Sequence, residues 1–319
     1  MIFGMKTATV NLDEIAQCAL PCVLALGMFD GLHRGHRRVV ARARSLAKKY
    51  GAALCVLTFS PHPSRVINMG RPPVDMLCTP ERRAEMFAEA GVEKVFVKKF
   101  TKKFAEMSPE EFAVFLREKF PKLRAVVSGY NFLFGKNARG DVKKLGELAR
   151  ANGWAHASVA GVFLPDGRRV SSSAMREAVR EADFGAFKKM SGGDYSCAGR
   201  LARGRRLGRK LGFPTLNLPW NPDCKPPFGS YAAELTRLAD GRKYRGVASY
   251  GTSPTVGKTD PILETHLFAK NVSFSAPERV SVKLLKFLRP QEKFASVQEL
   301  AAHIAADVEA AKRFFKKKA

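Results

Sequence analysis

With 319 residues and 35.1 kDa, the chain is large for one core and comfortable for two, and its 45% hydrophobic and 26% charged residues are the balance of an ordinary soluble protein. The opening MIFGMKTATVNLDE shows no basic leader followed by an apolar core and a cleavage site, and the longest apolar stretch, Cys18–Phe29, is broken by Pro21 and too short to span a bilayer. Six cysteines (18, 22, 55, 78, 197 and 224) include no CxxC pair, so a zinc site is not expected, and buried thiols in a reducing cytoplasm are.

The net charge of +26, with a pI near 10.1, leaves three readings open: a basic bias spread over solvated faces, a positive field that steers anionic small substrates, or phosphate neutralisation on nucleic acid. The basic residues are dispersed and not interleaved with aromatics, so nucleic acid is the least favoured partner and no membrane partner is expected.

In chain order, CVLALG (22–27) reads as a buried strand. A helical pattern follows from about His36, with Val39, Val40, Ala43, Leu46 and Ala47 on one face and Gly51 at its C-terminal cap. ALCVLTF (53–59) is the next strand; Thr79-Pro80-Glu81 opens a helix that Gly91 closes, and VFV (95–97) is a strand. Ser108-Pro109-Glu110-Glu111 is a capping box in front of Phe112, Phe115 and Leu116. AVVS (125–128), a helix over 141–152 and the strand AHASVAG complete this half. Alternating β and α units predict a parallel sheet with helices on both faces and ligands at the carboxyl ends of its strands.

After Met190 the texture changes to turn residues every eight to twelve positions with strand candidates YSCAGRLA, GSYAAEL, YRGVASYG, ILETHLFA and RVSVKLLKFL. This pattern predicts a small antiparallel barrel. Ser296-Val-Gln-Glu299 is a second capping box, opening a helix with Leu300, Ile304 and Val308 inside. The fold class expected is therefore α/β: a Rossmann-like domain over 12–190, followed by a barrel domain with a C-terminal helix over 191–315.

The first strand runs into Gly27-Met-Phe29-Asp30-Gly31-Leu-His33-Arg-Gly35-His36. Three glycines let backbone approach a ligand, and two histidines three apart sit at a helix start, where amides and imidazoles can converge on polyphosphate. The pattern is neither GxGxxG nor HExxH. It closely resembles the G-x-F-D-G-x-H-x-G-H turn of HxGH nucleotidylyltransferases, in particular the adenylyltransferase module of bacterial bifunctional riboflavin kinase/FAD synthetases. The resemblance continues through Thr58-Phe59-Ser60-Pro61-His62-Pro63, Ser128-Gly129-Tyr130-Asn131-Phe132-Leu133-Phe134-Gly135 and Ser171-Ser172-Ser173-Ala174-Met175-Arg176. It implies ATP and phosphate binding by Gly27, Phe29, Asp30, Ser172 and Ser173, catalytic roles for His33, His36 and Arg176, and flavin contacts from His62 and Asn131. By its residue type alone, His62 could equally be a turn histidine between two prolines.

The second half opens with Gly199-Arg-Leu-Ala-Arg-Gly204-Arg-Arg-Leu-Gly208-Arg209-Lys210-Leu-Gly212-Phe213-Pro214-Thr215-Leu216-Asn217. Spaced glycines with interleaved cations suit phosphate, although the bare pattern also fits an RNA-binding loop. With Pro227-Phe-Gly229-Ser-Tyr231, Gly246–Thr255 and Leu263-Glu264-Thr265-His266, it resembles the riboflavin kinase module of the same family. The resemblance implies phosphate binding by Gly204, Arg209 and Gly212, Mg²⁺ at Thr215 and Asn217, Glu264 as general base and Arg289 at the flavin. Implied substrates and products are riboflavin, FMN, FAD and ATP. Leu216 stands in place of the family's alanine, Asn271–Ala276 in place of its D-L/F-Y-G stretch, and Gln291 in place of an acid. The last two departures leave open an FMN adenylyltransferase with an impaired kinase module; a basic nucleic-acid-binding protein is the alternative from another class.

Overall fold

The computed structural model describes residues 7–68, 70, 72–204, 208, 211–253 and 258–317. The chain forms two compact units, Met1–Ala174 and Met175–Ala319.

The first unit is built on strands β1 (Ala8–Asn11), β2 (Cys22–Leu26), β3 (Ala53–Ser60), β4 (Lys94–Lys99), β5 (Leu123–Gly129) and β6 (Ala155–Val159), all paired in parallel in the order β1-β4-β3-β2-β5-β6. Every residue of β2 is buried, which explains its unbroken apolar run: a central parallel strand has a covered face on both sides. Helices α1 (Arg34–Tyr50) and α2 (Pro80–Glu89) belong to one face, where Val39, Val40, Ala43 and Phe87 pack with Val23 and Ala25. After the short α3 (Lys102–Ala105), α4 (Pro109–Lys119) and α5 (Val142–Ala151) cover the other, where Phe112, Leu116 and Leu145 pack with Leu24 and Leu26. The chain moves outward from β2 through β3 to β4 and then returns to β5 on the opposite side of β2. The topological switch point therefore lies between β2 and β5, where Leu26 is in register with Ser128.

The edge strand β1 carries no sequence signal strong enough to predict it; its residues are largely exposed, and pairing with β4 supplies its backbone partners. The Ser108 capping box forms in both directions, Ser108 Oγ accepting the Glu111 N–H and the Glu111 carboxylate accepting the Ser108 N–H. Helix α6 (Ser172–Arg180) starts within the first unit, and α7 (Phe184–Ser191) follows in the second.

In the second unit β7 (Ser196–Arg200), β8 (Thr215–Pro219), β9 (Gly229–Arg237), β10 (Lys243–Ser253), β11 (Lys258–Leu267) and β12 (Arg279–Pro290) form an antiparallel sheet ordered β7-β12-β9-β10-β11-β8. A bridge between Ala202 and Asn217 brings the chain after β7 against β8, so the two edges meet as a barrel requires. Helix α8 (Val297–Lys316) packs Ile304, Val308, Ala311 and Phe315 over Ala232 and Val247. Its N-terminus departs from the expected capping box: Ser296 Oγ accepts the Glu299 N–H, but the Glu299 carboxylate accepts from Ala295 instead.

An ion pair between buried Asp307 and half-buried Arg289 ties α8 to the barrel. The Asp307 carboxylate accepts from Arg289 Nε at 3.0 Å and Nη2 at 2.9 Å, and from Ser230 Oγ at 2.7 Å. Arg289, expected at the flavin, thus has its guanidinium engaged by this carboxylate and lies over the Phe294 ring. Truncating Asp307 removes the three hydrogen bonds its carboxylate accepts, while Arg289 keeps Glu292 at 3.4 Å. Asp307→Ala should therefore destabilise the second unit by about 2 kcal/mol in urea unfolding, the scale of lost hydrogen bonds to a charged group; a loss too small to resolve would contradict this role.

Candidate active sites

In the first unit, the chain leaves β2 at the switch point and turns sharply before α1. Phe29, Gly31 and Leu32 all take positive φ (52°, 75° and 35°), so the backbone curls within a few residues. Gly31 does this without penalty; Phe29 is held there by packing, with its ring edge-on to His36 at 5.2 Å and to Phe87 at 5.6 Å. Phe29 is 1% exposed, which makes it the floor beneath His36.

His33 is the N-cap of α1: its Nδ1 accepts the His36 backbone N–H at 3.2 Å. That bond fixes the tautomer, leaving Nε2 to carry the proton. The two imidazoles stack with centroids 3.7 Å apart and 18° between planes. Burial, with a smaller contribution from the positive charge of Arg169, lowers the His33 pKa from 6.5 to about 4. A neutral N–H donor therefore stands at the positive end of the helix, where polyphosphate is favoured.

Asp30 is buried and accepts the Leu77 N–H at 3.0 Å and the Cys78 thiol at 3.7 Å, while its backbone carbonyl accepts from Ser172 Oγ at 2.8 Å. Ser172 is thereby brought to the turn; Ser173, next along α6, is exposed. Arg176 is buried on α6 with its backbone carbonyl accepting from the Cys224 thiol. Asn131 follows β5 and so leaves the sheet beside the Gly27–His36 turn, its Oδ1 close against Gly129. His62 caps a short 3₁₀ turn, with Nδ1 bonded to the N–H and hydroxyl of Ser64. Gly27 donates its N–H to Leu57.

Arg169 was not predicted. It lies on the hairpin closed by the Phe163–Arg169 bridge, over the Tyr130 ring at 5.9 Å, and its charge reaches His33. In the sequence it is one of two adjacent arginines before Val170, with no periodicity to separate it from Arg168, which pairs with Asp166.

In the second unit, antiparallel pairing of β8 with β11 sets Asn217 opposite Glu264 and Thr215 opposite His266. Strand alternation then puts all four on one face, while Leu218 and Leu263 are buried on the other. Glu264 is exposed at its tip, yet the protein around it removes enough water to raise its pKa above the ordinary carboxylate value, and among the described residues its carboxylate makes no hydrogen bond or ion pair. His266 Nδ1 is 3.0 Å from the Pro214 carbonyl, so it carries a proton and braces the start of β8.

Gly204 lies so close to Asn217 that a Cβ there would sit 2.1 Å from the amide nitrogen; a Cβ at Gly208 would sit 2.3 Å from the Phe213 carbonyl oxygen. Glycine at 204 and at 208 thus permits both close approaches. Gly212 has φ of 83°. Arg209 lies outside the described residues. Gln291 stands against Gly251 and donates its side-chain amide to the Thr252 carbonyl at 3.0 Å, a bond that an ionised acid could not make. Phe274, in the segment replacing the D-L/F-Y-G stretch, packs under the Arg237 guanidinium at 4.3 Å.

A histidine-bearing turn at the switch point of a parallel sheet and the Thr215–Asn217/Glu264–His266 face of an antiparallel barrel are two candidate sites, one in each unit. An FAD synthetase family model matches residues 15–174 and a riboflavin kinase model residues 191–315. Bifunctional riboflavin kinase/FMN adenylyltransferases of Escherichia coli K12 and Bacillus subtilis 168 are 32% and 30% identical, each over 92% of this chain and over 93% and 92% of their own. The chain belongs to the bifunctional riboflavin kinase/FMN adenylyltransferase family. A Streptococcus pneumoniae crystal structure described as a macrolide-efflux protein shares the fold, with 25% identity, a TM-score of 0.81 and coverage of 96% of this chain and 99% of that one. Among the described residues no helix is long and apolar enough to cross a membrane.

His33 should titrate near pH 4 in an NMR titration of the imidazole resonances. Between about 4 and 6.5 the unfolded chain holds the proton that folded His33 refuses, so this residue's contribution lowers stability as pH falls through that window. Titration near 6.5 would contradict the buried, neutral imidazole.

Proposed function

We propose that residues 191–315 phosphorylate riboflavin and residues 12–190 adenylylate the resulting FMN, each with ATP, so that the product of the barrel module is the substrate of the other. The observation that carries the adenylyltransferase assignment is the stacked His33–His36 pair at the N-terminus of α1. In adenylyl transfer an FMN phosphate oxygen attacks the α-phosphorus of ATP, the bond to the β-phosphate oxygen breaks, and pyrophosphate leaves. The task is positioning and charge stabilisation. Gly27, Phe29 and Asp30 shape the turn; His33 donates Nε2–H to phosphate oxygens, and His36 stands beside it. Ser172, Ser173 and Arg176 hold the leaving pyrophosphate, with Arg176 supplying a permanent charge. Asn131 and His62 contact FMN.

For the kinase reaction, Glu264 accepts the proton of the ribityl 5′-hydroxyl as its oxygen attacks the γ-phosphorus in line and ADP departs. Its raised pKa and unpaired carboxylate support this role, since a base needs affinity for the proton it takes. Gly204, Arg209 and Gly212 surround the ATP phosphates. Thr215 and Asn217 offer neutral oxygens on the Glu264 face, a donor type that fits Mg²⁺ and leaves its other positions to phosphate and water. When bound, the ion neutralises phosphate charge. Arg289 is better read as the anchor of Asp307 at the rim of the flavin site than as a free flavin contact. Thiols without disulfides accord with a cytoplasmic enzyme acting on small molecules.

Chromatography of flavins after incubation with riboflavin, ATP and Mg²⁺ tests the whole reading: FMN and FAD should form, and nucleotide consumption without either would overturn it. His36→Ala should lower FAD formation by at least about 100-fold while FMN still accumulates. Glu264→Gln should reverse the pattern, stopping riboflavin phosphorylation by a similar factor while supplied FMN is still converted to FAD. Equal loss of both activities in either variant would rule out separable sites.

A further inference from the structure

We propose that Arg83 is a positioning residue of adenylyl transfer, holding the Met28 carbonyl and through it the histidine-bearing turn. This rests on the assignment of that turn to the ATP phosphates.

Arg83 lies on α2 and is 6% exposed, yet among the described residues it makes no ion pair. A buried guanidinium is costly, and an apolar side chain of similar length would pack a helix against a sheet at lower cost. The group that accounts for it is a single backbone oxygen. Arg83 Nη1–H donates to the Met28 carbonyl at 3.2 Å, and Thr58 Oγ1–H, from β3, donates to the same oxygen at 3.2 Å. A cavity of about 60 Å³ lies beside this contact, lined by Thr9, Thr58, Ser60 and Arg83 among others.

The surroundings extend the argument. Phe87, one helical turn beyond Arg83, packs edge-on against Phe29. The N–H of Leu77 and the thiol of Cys78, just before α2, donate to Asp30. Three successive residues of the turn, Met28, Phe29 and Asp30, are therefore each fixed by the segment 77–87. Phe29 has φ of 52°, a conformation that costs energy and persists only where neighbours impose it, and its ring supports His36. If the Met28 carbonyl is released, the peptide before Phe29 can rotate, and His36 loses its floor.

The test uses the full-length chain with Arg83→Met, Arg83→Lys, Thr58→Val and the Met/Val double substitution. FAD formation from FMN and ATP is measured per folded protein, alongside FMN formation from riboflavin. Arg83→Met should lower kcat for FAD by about 10- to 100-fold, the scale of a misplacement near 1 Å, with a smaller change in KM. Arg83→Lys, which keeps a donor, should recover part of that loss, and FMN formation should not change. Thr58→Val should lower kcat in the same direction, and the double substitution should lose less than the product of the two single losses, because both donors act on one oxygen. Unchanged kcat in Arg83→Met overturns the proposal, as does a lower Tm with unaltered kcat per folded molecule. Should Arg83→Met fail to fold, unchanged kcat in Thr58→Val overturns it instead. A native chain that makes no FAD from FMN would refute the functional assignment, a separate outcome.

Discussion

The first site depends on one hydrogen bond, from the backbone N–H of His36 to Nδ1 of His33. A helix begins with N–H groups that lack partners, and a serine, threonine or aspartate commonly supplies the acceptor. Here an imidazole does so. The choice costs a good capping residue but commits the ring: its orientation is set, its tautomer is set, and the second imidazole is stacked on it. Burial then keeps the ring neutral. One donor with a defined direction, Nε2–H of His33, is thus built from a structural requirement that any helix has.

The second site reaches a similar end through strand geometry. Thr215, Asn217, Glu264 and His266 gather on one face because β8 and β11 pair antiparallel, and α8 covers the neighbouring part of the sheet with Val308 and Phe315 while leaving that face open at Glu264. The Arg289–Asp307–Ser230 network fixes where the helix lies. Among the described residues Glu264 has no ion-pair partner, and its surroundings raise its proton affinity by desolvation alone. An adjacent cation would lower its proton affinity and weaken it as a base.

Much of this was legible in the sequence because its signals are local. Periodicity announces α1 through Val39, Val40, Ala43, Leu46 and Ala47; apolar runs announce β2 and β3; turn residues every eight to twelve positions after Met190 announce the barrel. Residues acting across long sequence separations were not legible. Arg83 reads as one of two arginines on a polar helix surface, and only tertiary folding brings it to a carbonyl 55 positions away. Asp307 reads as a solvated acid of an amphipathic helix. The exposed strand β1 lacks an alternating pattern, since its formation depends on the edge that β4 offers. Arg289 was read by family pattern as a flavin contact, whereas its carboxylate partner is invisible without the fold.

The β8–β11 ladder also restricts how this gene can change in length. Side chains along a strand alternate sides with a strict two-residue repeat, so inserting or deleting a single codon within Thr215–Asn217 or Glu264–His266 would exchange the row that carries Glu264 for the buried one. Point substitutions there would be graded in effect, whereas a one-residue indel would drive carboxylate and imidazole into the barrel interior and expose leucines in their stead. Length variation among functional descendants should accordingly accumulate in the connections between strands and spare these two segments.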